Sequence, residues 1–303
     1  LWVHQWHNVV DENLLRRQLR SPNANARAAA TRVLCYWNDR VPDVIPLLLT
    51  QAQDENPRVR LQAARAASFF RNERAIDIAL NALTLPLDYY LEYTIDETIK
   101  QLRPHWLTRL SNPAALASMD RVKVDRLLRA TSVDQLRTLP ATNEVLEQLV
   151  KRSGVPEIVR NESLLALAGS RGVTPAAALT DMLTAGGNFD DVAVGRLLTM
   201  RPVDELQAVR ARLESLAMTA SDGARPYVLA GAIVANQSFD QAWNAATTPE
   251  ARTFFLEAVP LIPDAALRAR SFDLVMPLLT RSASRPNGAV DPDSDLQPAV
   301  IRA

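Results

Sequence analysis

The segment from Val41 to Phe70 constrains the fold most, because it divides into two short amphipathic helices around a polar turn. It reads VPDVIPLLLTQAQDENPRVRLQAARAASFF. The spacing of apolar residues predicts a first helix from Pro42 to Gln53 and a second from Pro57 to Phe70, separated by Asp54-Glu55-Asn56. Neither helix can bury its apolar face alone, and the alanines of the second let another helix approach closely. Such a unit needs neighbouring copies of itself.

The copies lie at regular intervals along the chain. A shift of 33 residues aligns the segment Ala26–Arg32 with Val59–Arg65, and a shift of 100 residues aligns Val159–Leu167 with the segment that begins at Val59. A recurring two-helix unit of this length is typical of an α-solenoid, in which each hairpin of helices packs on the one before and the one after. The sequence therefore predicts an all-α fold.

The unit around the turn resembles a HEAT repeat. Pro46 lies in the first helix, Asp54 follows in the turn, and Val59-Arg60 opens the second helix. The resemblance implies a right-handed, HEAT/armadillo-like α-solenoid of stacked helical hairpins. It also implies that the proline bends the first helix, and that turn aspartates and second-helix arginines pair in a ladder between repeats. Only this unit carries the whole pattern, so we expect the ladder to be local.

The chain is interpreted as one repeat array rather than two domains. Its 303 residues are 48% hydrophobic and 6% aromatic, which suits a long core of alanine and leucine. All nine glycines fall at or after Gly154, where several mark expected helix ends. We predict better-formed repeats over residues 1–110, degenerate repeats over 111–281, a loop insertion over 282–298 and the start of a further helix over 299–303. Both ends read as unfinished, so we expect a piece of a longer protein.

Charge and cysteine content exclude some classes of function. Thirty-four basic and thirty-four acidic side chains cancel, which argues against broad attraction to nucleic acid. The sequence contains no run of eighteen apolar residues, so it predicts no membrane span. A single cysteine, Cys35, excludes an intrachain disulfide framework.

No motif in the chain predicts catalysis or metal binding. His4 and His7 share a helix but lack the three or four ligands that zinc requires. The segment Asp291–Asp295 alternates carboxylates, yet an EF-hand would need glycine at Leu296 and glutamate at Arg302. We therefore assign no catalytic, cofactor-binding or metal-binding residue and expect this segment not to be an enzyme.

Arginines and aromatic residues give the candidate interaction surface instead. Arg32 and Arg65 are equivalent positions in successive second helices. Two interpretations stay open for them and the neighbouring arginines: a basic stripe, or a solvated face of locally paired charges. Eight of the ten Trp and Tyr residues lie within the first 106 residues. Core filling is the expected fate of most, although Tyr89 and Tyr90 are adjacent, so one of them is expected to face outward. The surface is predicted at Arg27, Arg32, Arg58, Arg65, Tyr89 and Tyr90.

Four segments together resemble a narrower family, the helical-repeat region of large bacterial PVC-type haem-binding proteins. They are His7–Ser21, Ala26–Asp43, Asp54–Phe70 and Leu87–Trp106. Members of that family place a dehydrogenase-like β-propeller before the repeats and a c-type cytochrome domain with a C-x-x-C-H haem site after them. The resemblance implies a secreted, periplasmic redox protein in which this segment is a spacer between flanking domains, its protein partners. Haem c is then expected only in a missing C-terminal domain, because this chain has no C-x-x-C-H.

Two other functions stay open at this point. The chain could be a free-standing HEAT adaptor that binds a protein or peptide on its concave face. It could also be a HEAT-like enzyme resembling the DNA glycosylases built on this fold, which predicts salt-sensitive DNA binding; its zero net charge counts against that function.

Overall fold

The computed structural model describes residues 1–187 and 189–283, and every regular element among them is helical. The chain divides between Val145 and Leu146 into two compact units, and the expectation of a single array stays a prediction. The loop and the further helix predicted over 282–303 lie outside the described residues, except that positions 282 and 283 end the last helix.

The first unit contains three helical hairpins. The short helix α1 Trp2–Trp6 precedes them, and their six helices are α2 Glu12–Leu19, α3 Ala24–Tyr36, α4 Val44–Gln51, α5 Pro57–Ala67, α6 Ala75–Asn81 and α7 Tyr89–Gln101. The second helices α3, α5 and α7 pack side by side in one layer, and α4 packs against α6 in the other. The first unit is thus an α-solenoid over these repeats.

Each second helix of these hairpins begins at an equivalent capping residue. Asn23, Asn56 and Asp88 accept hydrogen bonds from backbone N–H groups of the first turns of α3, α5 and α7, at 2.9, 3.0 and 2.9 Å. A polar cap of this kind satisfies a donor that the helix cannot. The predicted start at Pro42 is wrong: α4 begins at Val44, after Asp43 in a left-handed conformation (φ 56°).

The remainder of the first unit is built from shorter helices. They are α8 Arg103–Trp106, a 3-10 turn Leu107–Ser111, α9 Pro113–Ala117, α10 Arg121–Ala130 and α11 Val133–Leu136, and the next helix, α12 Asn143–Lys151, contains the division. Helix α10 packs against α7. The core of the layer that includes α3 and α5 consists largely of small side chains such as Ala30, Ala63 and Ala67, which lets the helices pack closely.

The second unit is also helical and has one continuous core. Its helices are α13 Glu157–Arg171, α14 Pro175–Ala185, α15 Asp191–Thr199, α16 Val203–Ala208, α17 Arg210–Thr219, α18 Arg225–Asn236, α19 Asp240–Ala245, α20 Pro249–Ala258, α21 Ala265–Ala269 and α22 Phe272–Ala283. Helix α18 lies at the centre and packs against α15, α16, α17 and α20. The apolar pattern predicts one helix from Pro202 to Met218 and another from Asp264 to Thr280. The structure interrupts the first at Val209 and the second at Arg270-Ser271.

Glycines end helices in this unit where the sequence indicates it, with one exception. Gly154, Gly172, Gly186 and Gly187 have positive φ angles, which glycine adopts without a steric penalty. Gly169, expected at a helix end, lies inside α13, and the helix continues to Arg171 before Gly172 ends it at φ +65°.

Candidate functional site

Two equivalent arginines, 33 positions apart on α3 and α5, point toward the turns of the repeats. Arg27 donates two hydrogen bonds to Asp54, from Nε at 2.6 Å and from Nη2 at 2.9 Å. Its third nitrogen donates to the carbonyl oxygens of Ser21 and Pro22, in the turn of its own repeat. One guanidinium therefore joins its own turn to the turn of the next repeat.

Arg60 does the same one repeat later, with backbone carbonyls alone. It donates to the carbonyl oxygens of Asp54 (2.9 Å) and Glu55 (3.0 Å) in its own turn and to that of Pro86 in the next. The side chain is almost wholly buried, 1% exposed, and burial lowers the pKa of its guanidinium. We name this arrangement, an arginine that binds the turn on its own side and the one that follows, a turn clamp. The Asp54 carboxylate belongs to the clamp of the preceding repeat, not to Arg60.

Turn clamps or parts of them recur beyond the repeat that carries the whole motif. In the first unit, Arg103 donates to the carbonyl oxygen of Ala130. In the second, Arg160 donates to the carbonyl oxygens of Val150, Arg152 and Val155, with Asp190 at 3.6 Å. Arg268 donates to the carbonyl oxygens of Ile262 and Pro263, six and five positions before it. Among these clamps, the close aspartate–arginine pair is Arg27 with Asp54, and Arg160 with Asp190 is a longer one. At the other arginines, backbone carbonyls, which leave no mark in a sequence, are the acceptors.

A second arginine on each of the same helices faces outward, beside an aromatic ring. Arg32 and Tyr36 on α3 are repeated 33 residues later by Arg65 on α5 and Phe69 in the turn directly after α5, and all four side chains are exposed. We call these four residues the α3–α5 face. They line one shallow cleft with Cys35, Gln62 and Ala66. Its volume of about 20 Å³ is far below the roughly 300 Å³ of the smallest usual ligand pockets, so this surface is flat rather than a small-molecule site.

The α3–α5 face carries positive charge that nothing nearby neutralises. Neither α3 nor α5 contains an aspartate or glutamate. Within the described residues, Arg32 and Arg65 make no hydrogen bond or ion pair. Burial raises the pKa of the Cys35 thiol although both guanidinium groups act to lower it, so the thiol is neutral at pH 7.

The other residues predicted for the surface divide into buried and exposed ones. Arg27 was predicted to lie on this surface, but its turn clamp leaves the side chain only 12% exposed. Arg58 is exposed and donates to Asn25 Oδ1 at 3.2 Å, one repeat away. Tyr89 and Tyr90 are 76% and 71% exposed, with their rings edge to face and 5.4 Å between centroids. Both therefore face outward, not one of them.

Core filling is also the wrong prediction for most of the aromatic residues. Among the eight Trp and Tyr residues of the first 106 positions, only Trp37 and Trp106 are buried. The exposed ones are Trp2, Trp6, Tyr36, Tyr89, Tyr90 and Tyr93. The physical reason lies in the alanine-rich interior, where closely packed helices leave little room for rings.

The repeat-motif residues occupy distinct places in their hairpin. Pro46 is exposed at the third position of α4, and Val59 is fully buried at the third position of α5. Burial acts to raise the pKa of Asp54, but hydrogen bonds from Arg27 and from the Asn56 backbone N–H outweigh it and lower that pKa below its usual value. The turn aspartate is thus held ionised.

Helix α7 closes the positive surface on one side. Gln101 donates to the carbonyl oxygen of Ser68 at 3.1 Å, which places α7 directly beside α5. Its acidic residues already have partners: Glu92 and Asp96 pair with Arg126 at 2.8 and 3.2 Å, and Glu97 pairs with Lys100 at 2.7 Å. The unpaired cations are therefore confined to α3 and α5 within this stack of three second helices.

The second unit contains a larger groove that no sequence motif indicates. It lies between α14, α15 and α17 and has a volume of about 790 Å³. Arg212 pairs with Asp181 at 2.6 Å on its rim, and the Ser221 hydroxyl donates to Asp191. Among residues 1–187 and 189–283, no group of three His, Cys, Asp or Glu side chains is placed to hold a metal ion. None of the helices in this range has the length and apolarity to cross a bilayer.

Comparison with known proteins gives one family match. The family model described as HEAT repeats matches residues 12–96, which are thus HEAT-type helical repeats and contain α2 to most of α7. No curated protein matches the sequence.

Among solved structures, the chain is similar to one in the complex of CpcE and CpcF of phycocyanin lyase from Nostoc sp. PCC7120, with 16% identity, 84% of this chain and 95% of that chain covered, and a TM-score of 0.29.

Proposed function

We propose that this chain is a non-catalytic interaction scaffold whose α3–α5 face binds protein. The observation that carries the proposal is the repeated pair of an unpaired arginine and an exposed ring, Arg32 with Tyr36 and Arg65 with Phe69. Arginine and aromatic side chains dominate the anchors of protein interfaces. The clamps at the turns hold α3 and α5 in fixed register, so the face is preorganised for its partner.

In its finer form, the proposal makes the chain the helical-repeat spacer of a larger secreted, c-type haem-binding, dehydrogenase-like redox protein of the periplasm. Its partners are then the flanking domains. Haem c and electron transfer belong to a C-terminal domain outside this segment, which itself holds no cofactor. The support is the HEAT match over residues 12–96 and the resemblance of the four segments within positions 7–106 to the repeat region of such proteins.

The complete reading frame tests the finer form. A C-x-x-C-H motif after Ala303 is expected, and the expressed protein should retain haem on a denaturing gel. A frame without that motif rejects the redox parent and leaves the free-standing adaptor as the function. Hydrogen–deuterium exchange tests the scaffold separately: flanking domains or another partner should slow exchange in α3 and α5. If neither the flanking domains nor another partner slows exchange in α3 and α5, the scaffold function is contradicted.

The glycosylase alternative has a different signature. A DNA-binding face would produce a mobility shift of duplex DNA at low salt that weakens steeply as salt rises. A titration of duplex DNA that produces no mobility shift at low salt excludes the glycosylase alternative.

A further inference from the structure

We infer that the partner of the α3–α5 face is an acidic protein segment with apolar residues between its carboxylates. This rests on the scaffold proposal but not on the redox parent. The two helices carry five arginines and no acidic residue. Arg27 and Arg60 form turn clamps, and Arg58 donates to Asn25. Of the five arginines, Arg32 and Arg65 are therefore left to bind a partner.

The chemistry of these two groups selects carboxylates. A guanidinium presents a planar fork of donors that matches a carboxylate in a bidentate arrangement. The same protein already uses that geometry between Arg27 and Asp54, at 2.6 and 2.9 Å. An isolated pair of surface charges contributes little, but two charges beside apolar contacts act together.

The rings next to the arginines require apolar side chains in the partner. Tyr36 is 49% exposed and, four residues after Arg32, lies on the same side of α3. Phe69 is 57% exposed and lies two residues after the end of α5, where it lines the same cleft as Arg65. The cleft between them is too shallow to enclose a small ligand. A chain that lies across both helices covers both rings at once, and this favours a protein segment.

The spacing of the two helices sets the spacing of the carboxylates. Packed helices lie roughly 8–10 Å apart, and a polyproline-type segment rises about 3.1 Å per residue with every third side chain on one side. Acidic residues three positions apart therefore match Arg32 and Arg65. Beyond α5 the next second helix, α7, offers no unpaired cation, because its Lys100 already pairs with Glu97 at 2.7 Å, so the contact ends after two repeats.

A pair of synthetic peptides tests this inference. The probe is a fluorescein-labelled nine-residue peptide, (Glu-Leu-Pro)₃, and its matched control is (Gln-Leu-Pro)₃. Fluorescence anisotropy with the full 303-residue chain at low salt should show the glutamate peptide binding at least about tenfold more tightly, the loss expected for charge-assisted pairs. Raising the salt should reduce the difference.

Substitutions locate the contact. The double variant Arg32→Gln with Arg65→Gln should bind both peptides equally weakly. Arg58→Gln and Arg74→Gln, which alter exposed arginines outside the face, should keep the preference. Phe69→Ser should weaken both peptides by a similar factor, because it removes the apolar contact and not the charge. All four variants should have unchanged thermal unfolding.

Three outcomes overturn the inference. The first is equal binding of the glutamate and glutamine peptides. The second is an unchanged preference in the Arg32→Gln, Arg65→Gln variant. The third is a duplex DNA that binds more tightly than either peptide and is released by the same substitutions. If α3 and α5 are nevertheless protected by flanking domains, the scaffold stands and only the acidic partner is wrong.

Discussion

Arg27 of the first unit and Arg160 of the second hold their turns with the same side chain but with different acceptors. In the first, Arg27 reaches a carboxylate, Asp54, at 2.6 Å, and also two backbone carbonyls. In the second, Arg160 contacts three backbone carbonyls, and its nearest carboxylate, Asp190, lies at 3.6 Å. The constant part of a turn clamp is therefore its set of carbonyls, and the carboxylate is an addition.

The reason lies in what a helical hairpin always supplies. The last carbonyls of a helix have no partner within it, so every turn offers acceptors whatever its side chains are. A guanidinium has five donors in a fixed plane and can serve several of them at once. A carboxylate, in contrast, depends on one residue at one position, and so it is lost easily as repeats diverge.

The largest expected effect comes from removing a clamp in the first unit. Arg60→Met keeps much of the apolar stem but leaves three carbonyls without their donor, and we expect a loss of about 3–4 kcal/mol in the free energy of unfolding. Urea denaturation followed by tryptophan fluorescence measures it, since Trp37 and Trp106 are buried in this unit. Arg58→Met, an exposed position on the same helix, should cost less than about 0.5 kcal/mol. Equal effects of the two would show that the clamp is not stabilising.

The same change in the second unit sharpens the comparison. Arg160→Met should destabilise by about 2–3 kcal/mol, because this clamp also serves three carbonyls but its bond to the Val155 carbonyl, at 3.5 Å, is weak. Hydrogen exchange should increase in α12 and α13 while the amides of α4 to α7 stay protected. A loss below that of Arg58→Met would mean that carbonyls alone do not make a clamp.

Removing only the carboxylate should have a smaller, pH-dependent effect. Asp54→Asn keeps the shape of the turn and loses the ion pair with Arg27, at an expected cost of about 1–2 kcal/mol at pH 7. The folded pKa of Asp54 lies below its unfolded value of about 3.9, so its stabilisation is complete above that pH and disappears as pH falls through the folded pKa.

The measurement is thermal unfolding of both proteins from pH 7 down to pH 2.5. The difference in unfolding temperature between the native protein and Asp54→Asn should be constant above about pH 5 and should become smaller below about pH 4. A difference that stays constant down to pH 2.5 would exclude the ionised carboxylate as its cause. Asn56→Ala is not a useful control, because it removes the cap of α5.

The smallest effects concern the glycines, which the second unit has and the first lacks. Gly172→Ala should cost about 1 kcal/mol, since φ of +65° disfavours any residue with a Cβ. Gly169→Ala is the matched control: it lies within α13 with no atom near its would-be Cβ, so it should stabilise by roughly 0.5–1 kcal/mol. We expect Gly172→Ala to lower the unfolding temperature and Gly169→Ala to raise it. Shifts in the same direction for both variants would contradict this explanation.

Much of the fold could be predicted from periodicity, because helix pairing depends on the pattern of apolar residues. The hairpin from α4 to α5, buried Val59 and the equivalence of Arg60 and Arg160 all follow from the alignments at 33 and 100 residues. Positive φ at Gly172 follows from its place after an apolar run. The breaks at Val209 and at Arg270-Ser271 do not, because the apolar pattern continues through them.

The site was only partly predictable, for a different reason. Arg32 and Arg65 were found because they repeat, but Arg27 repeats as well and is buried. The two pairs differ in their partners, which are backbone atoms of turns distant in sequence. The exposure of Tyr36 was missed because residue type alone favours burial, whereas the alanine-rich layer leaves little space for rings.

The turn clamp also gives the repeats of the first unit a polarity. Arg27 donates to Asp54 in the turn of the next repeat. Arg60, in the second hairpin, has its acceptors in its own turn and the next one, not in the turn of the repeat before its own. Detaching the α2–α3 hairpin would leave Arg60 with all of its acceptors; detaching α4 and α5 would strip Arg27 of Asp54. Each junction has its donor on the earlier repeat and its acceptor on the later one: losing the α2–α3 hairpin leaves the Asp54 carboxylate without Arg27, whereas losing the α6–α7 hairpin leaves Arg60 without the Pro86 carbonyl.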